Sequence, residues 1–132
     1  DRQITQRAEA VLASLADVSG DPGALAAAIG QRLMDSVHAN PQWQMLFFEF
    51  CLRAMRNEEV RLRFVEHRRV MRKRVAETTE ALRERLGITA MSAESLTVLV
   101  MSLSNGLAIE EMVDPGAVPA GLISDVLTNL HT

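Results

Sequence analysis

The chain has 132 residues, of which 48% are hydrophobic, 23% charged and 4% aromatic, with no Tyr. That length fits one domain around one core, and the apolar share argues against intrinsic disorder. A net charge of −3 makes the chain as a whole a poor polyanion binder, and the single Cys51 permits neither an intramolecular disulfide nor a Cys-based zinc site.

Ala, Leu, Arg and Glu dominate, and all four are helix formers. The expectation is an all-α domain, a bundle of about six helices, in a reducing, cytoplasmic setting. No apolar run reaches the ~18 residues of a bilayer span, so no membrane partner is expected. Residues 1–8 are too polar for a signal peptide.

Helical spacing begins at once, with Ile4, Ala8, Val11, Leu12 and Leu15, and predicts a first helix over 2–17. It opens without a capping residue, as a chain cut inside a helix would. Asp21-Pro22 reads as an N-cap followed by Pro at the first helical position. The second helix then covers 22–39, with Leu25, Ile29, Leu33 and Val37 on one stripe. Asn40-Pro41 repeats the signal and starts a third helix over 41–56. Its expected inward positions are Trp43, Leu46, Phe47, Phe50 and Ala54. Asn57 caps a long fourth helix over 58–86, where Glu58 and Glu59 suit the helix dipole and Gly87 is the stop. Its stripe is Val60, Phe64, Met71, Val75, Thr78, Leu82 and Leu86, with His67 in the same register. Ser92 caps a fifth helix over 92–112, and Asp114-Pro115-Gly116 breaks it. A one-faced last helix is expected over 117–130.

The fifth helix carries no charge from Leu96 to Ile109, and nine of those fourteen residues are apolar. They surround the helix, so both sides need cover. A central core helix satisfies this, and so does a partner subunit. The second option predicts a homodimer through the last two helices. Its interface would use Leu96, Leu99, Leu103, Gly106 and Leu107 with Leu122, Val126, Leu127 and Leu130. Gly106 costs stability inside a helix, and either a tight helix crossing or a kink would account for it.

Catalytic chemistry finds little support. His38, His67 and His131 form no metal-ligand spacing, and there is no phosphate loop and no nucleophile elbow. No cofactor is implied. Glu49 lacks a second carboxylate nearby and is placed to pair with Arg53. The basic run from Arg61 to Arg74 is interleaved with and flanked by Glu residues, which fits a solvated helix with internal ion pairs better than a nucleic-acid face. A ligand pocket is better supported. Seven Met residues make adaptable surfaces. The inward candidates are Met34 and His38 on the second helix, then Trp43, Phe47, Phe50, Cys51 and Met55 on the third. His67 and Met71 follow on the fourth, with Met101 and Asn105 on the fifth. Apolar walls with a few polar tips are how bundles hold small molecules, although the same set would also make an ordinary core.

The stretch Trp43-Gln44-Met45-Leu46-Phe47-Phe48-Glu49-Phe50, continuing through Ala54 to Arg56-Asn57, resembles a motif of the tetracycline-repressor-like (TetR) transcriptional regulators. Val60-Arg61 through His67-Arg68-Arg69 is similar to the start of that family's long regulatory helix. Asn105-Gly106-Leu107-Ala108-Ile109-Glu110, followed by Asp114-Pro115 and Val118-Pro119, resembles the signature before its last helix. Asn105 and Glu110 stand where Asp and Gln are common. The resemblance covers about residues 20–130. It implies that 20–132 form an effector-binding and dimerisation domain, and that 1–19 end the linker helix from an N-terminal helix-turn-helix domain absent from this sequence. On that reading the partners are a second copy, a small, mostly apolar effector, and operator DNA only through the missing domain, and the protein is a repressor and not an enzyme. Two alternatives are a stand-alone helical interaction or ligand-binding protein, and a small helical enzyme, which the missing acid–base pairs disfavour.

Overall fold

Four of the five described helices begin at a side-chain cap. The computed structural model describes residues 21–130, so the helix expected over 2–17 and His131 lie outside the described residues. Helix α1 spans Pro22–Ala39, α2 Pro41–Arg56, α3 Glu58–Leu86, α4 Ala93–Val113 and α5 Leu122–Asn129, and there is no strand among the described residues. Asp21 Oδ1 accepts from the Ala24 N–H at 2.8 Å, Asn40 Oδ1 from Trp43 and Asn57 Oδ1 from Val60, both at 3.1 Å. Ser92 Oγ accepts from the Ser95 N–H at 3.1 Å. Each cap satisfies a backbone donor that the helix cannot pair itself. Gly87 ends α3 at φ 71°, and its N–H closes on the last carbonyls of that helix. An L side chain would be strained in that left-handed conformation.

Helix α3 is the spine of the bundle. Helix α4 lies along it, α2 packs on its N-terminal half, and α1 crosses over both. The core joins Leu25, Ala26 and Ile29 of α1 to Leu82 and Leu86 of α3, with Ile88, Leu96, Ile123 and Leu127. By length and hydropathy alone, α4 could cross a membrane. In the fold, Leu96, Thr97 and Ala108 are buried against neighbouring helices, while Val98, Ile109 and Val113 on the other face are exposed.

The last helix departs from expectation. It starts at Leu122, not at 117, because residues 114–121 form a pinned loop. Gly116 takes φ 93°, which the helix cannot continue through. The Gly116 N–H donates to both carboxylate oxygens of Glu111, at 3.0 and 3.1 Å, and the Val118 N–H donates to Oε1 at 3.3 Å. Helix α5 rests chiefly on α1, with little contact to α4. The tight crossing falls at Gly30, where an added Cβ would stand 3.1 Å from the Ser124 backbone nitrogen. Gly106 has nothing within 4 Å of the same position and lies open on the outer face of α4.

Two further expectations are corrected. In α2, Leu46 is 62% exposed and Phe50 42% exposed, so the inward face is instead Phe47 and Ala54, with Trp43 and Gln44 half-buried. Among the residues assigned to a subunit interface, Leu96 and Leu127 are buried within the protomer's own core. Leu99, Leu103, Leu107, Leu122, Val126 and Leu130 are half-buried.

Candidate functional site: an apolar cleft along the long helix

A cavity of about 180 Å³ lies inside the protomer, walled by α1, α2, α3 and α4 and touched by Leu127 of α5. Helix α3 supplies Arg68, Met71, Val75, Thr79, Leu82 and Leu86, nearly one residue per turn. From Arg68 to Leu86 the helix rises ~27 Å, so the space is a long, narrow cleft. The volume is of the order of the ~150 Å³ that accepts a benzene ring in an engineered core.

Trp43 and Phe47 stand at the α2 side of the cleft, with parallel rings 5.8 Å apart. Asn40 aims Trp43 by capping the first turn of α2, and the turn spacing brings Phe47 onto the same face. Phe47 also meets Phe64 at 6.3 Å, and Phe50 stands edge-on to Phe64 at 5.0 Å. Opposite, α4 contributes Thr97, Val100, Met101, Ser104 and Asn105.

Of the residues proposed from sequence, Trp43, Phe47, Met71, Met101 and Asn105 share this wall. Met34, His38, Phe50, Cys51, Met55 and His67 do not line it. Met34 packs on the lower core. His38 is exposed and lies 3.4 Å from Glu111, joining the C-terminal ends of α1 and α4. Met55 is 73% exposed, and His67 faces outward. Cys51 is half-buried. Burial raises its thiol pKa above the ordinary value, against the opposite pull of Arg68, so it stays a protonated, inert thiol.

Arg68 is the wall residue that the sequence reading missed. It is half-buried, and its guanidinium lies over two rings, 5.4 Å from the centre of Phe47 and 5.8 Å from that of Phe64. It looked like one more member of a solvated basic run, as Arg61 and Arg63 are, which pair with Glu58 and Glu59. The signal was its register: Phe64, Arg68, Met71 and Val75 recur at intervals of three and four, on the buried stripe. His67, one position earlier, turns outward. Thr79 for Thr78 is the same one-residue error in phase.

The buried hydroxyls of the cleft are committed to their own helices. Thr79 donates to the Val75 carbonyl at 2.7 Å, while Thr97 donates to Ala93 and Ser104 to Val100, both at 2.8 Å. No cluster of three or more His, Cys, Asp or Glu suited to a metal occurs among the described residues. The geometry is that of a receptor for a small molecule: apolar walls, few polar tips, and no paired acid and base.

The Trp43 to Asn57 stretch forms one wall of the cleft, the long helix forms its spine, and the Asp114-Pro115 to Val118-Pro119 loop precedes the last helix. This is a C-terminal regulatory domain of the tetracycline-repressor-like class. More narrowly, the chain belongs to the family described as BetI-type transcriptional repressor, C-terminal, whose model matches residues 22–130. Comparison with curated proteins and with solved structures gave no match.

Proposed function

We propose that this domain is the effector-binding and dimerising part of a transcriptional repressor, and that the cleft along α3 is its effector site. Membership of a repressor C-terminal family supports the role. The cleft itself is the observation that carries the site: about 180 Å³ of largely apolar space inside one protomer, between helices that a ligand could wedge or clamp. The effector is small and mostly apolar. Trp43, Phe47, Met71 and Met101 hold it, and Asn105 or Gln44 fixes a polar group.

DNA binding belongs to a domain outside the described residues, and the segment 1–19 is the proposed route of coupling. An effector alters operator binding only by preferring one arrangement of the two domains. A preference of ~1–3 kcal/mol changes operator affinity by roughly 5–150-fold.

The partner is a second copy, docked on the outer face of α4. Val98, Ile109 and Val113 are exposed there at 45%, 46% and 81%, with Gly106 between them. Leu99, Leu103 and Leu107 of the same helix are half-buried, as are Leu122, Val126 and Leu130 in and just after α5. Exposed apolar area of this kind marks an interface.

Thermal shifts with a library of small apolar compounds test the effector site. A stabilising compound should lose its effect in Val100→Phe, which fills the cleft, and keep it in Phe50→Arg, which lies off the wall. Equal stabilisation of both variants would place the ligand elsewhere.

A further inference from the structure

Resting on the effector-site reading, we infer that the cleft selects a small carboxylic acid, an anionic head on an apolar chain or ring, through Arg68. The charge pattern of the wall leads to this class. Among the described residues Arg68 is its sole charged one, and no Asp or Glu borders the cavity. Among the described residues no carboxylate lies within ion-pair distance of Arg68. Burial first, and then the positive charge of Arg72 one turn on, pull the Arg68 pKa below its ordinary value, against an opposite pull from Cys51. Phe47 and Phe64 lie against the guanidinium at 5.4 and 5.8 Å, and stacked rings leave the in-plane N–H donors for another acceptor. A planar carboxylate matches that fork.

The other polar groups fit this polarity. Thr79, Thr97 and Ser104 spend their hydroxyl protons on backbone carbonyls, so they have no donor left for an anion. Arg68 is the cationic donor among the described wall residues, beside the Gln44 and Asn105 amides, the Ser36 hydroxyl and the Trp43 indole. The opposite end, at Leu82, Leu86 and Leu96, is wholly apolar and suits a hydrocarbon tail. A cationic ligand would meet Arg68 with no counter-charge on the wall. A neutral one would leave a half-buried guanidinium without an anion.

Isothermal titration of this chain with matched trios separates the classes. One trio is octanoate, 1-octanol and octylamine; the other is 3-phenylpropionate, 3-phenyl-1-propanol and 3-phenylpropylamine. At about pH 7 the acids are ionised. The acid should bind roughly tenfold or more tightly than its alcohol in at least one trio, with the amine weakest, as a charge-assisted hydrogen bond in a dry site implies. Arg68→Met should abolish that preference while the alcohol still binds, and Arg68→Lys should restore part of it. Gln44→Glu leaves Arg68 in place but adds a negative charge to the wall, and it should weaken the acid and spare the alcohol. Alcohols that bind as tightly as acids overturn this inference and leave the effector site standing. So does an acid preference that survives both Arg68→Met and Gln44→Glu. Failure of all six compounds overturns the effector site and this inference together.

Discussion

Glu111 holds more of the structure than its place in sequence suggests. Its carboxylate accepts from the Gly116 and Val118 N–H groups and faces His38, so one side chain ties the loop before α5 to the ends of α1 and α4. The Gly116 N–H bond first, then that of Val118, holds its pKa below the ordinary Glu value, and His38 adds to this. The folded value is thus below the unfolded one. The stabilisation is fully present above the unfolded value, ~4.3, and is lost as pH falls through the lower folded value. Glu111→Gln should lower the urea midpoint at about pH 7, and the gap from wild type should close towards about pH 3. A gap of the same size at both pH values would contradict this electrostatic role. Nothing in the sequence marked Glu111 as a clamp, because its partners are backbone donors five and seven residues on. Arg68 was hidden for a different reason. A long, flexible cation amid six other basic residues reads as solvated, and only register distinguishes it.

At the level of elements, the described helices from Pro22 to Val113 were legible to within a residue. Their boundaries rest on local chemistry: Asp, Asn or Ser caps, Pro at the first position, and Gly87 at the stop. The phase of α2 was not legible. Met45, Leu46, Phe47, Phe48 and Phe50 spread apolar surface around much of that helix, so periodicity gives no single face. Contacts to Phe64 and Arg68 on α3 decide it. The α1–α5 crossing was equally hidden, since it depends on two segments ninety residues apart. Gly30→Ala tests it. On an open helix face the change would stabilise by ~0.5–1 kcal/mol. Here the new methyl meets the Ser124 backbone at 3.1 Å. Overpacking of that kind costs ~1–3 kcal/mol, so the denaturation midpoint should fall. A midpoint that rises would mean that α5 yields freely.

For the whole molecule, the all-helical architecture was readable from composition and periodicity, while the cleft and the outer face of α4 had to be separated by the structure. Sequence showed an all-round apolar helix but not which residues serve which side. Leu96 and Leu127 proved internal, so charge placed there would unfold the protomer and say nothing of assembly. Ile109→Glu is the informative change: the residue is 46% exposed, and each substitution acts twice across a symmetric interface. Sedimentation should show folded monomers of this variant and dimers of wild type. Gly106→Ala should stiffen α4 yet loosen the dimer, if the partner helix crosses there. Wild type that sediments as a folded monomer at tens of micromolar would remove the dimer from the account.

If the cleft along α3 receives a ligand, Trp43 reports on it directly. It is the chain's single Trp and forms part of the wall, stacked on Phe47. Its emission should be followed while 3-phenylpropionate is titrated into wild type, Val100→Phe and Phe50→Arg. A saturable change at one site per protomer is expected, absent in Val100→Phe and unchanged in Phe50→Arg. No saturable change in wild type, or one that persists when the cleft is filled, would contradict it.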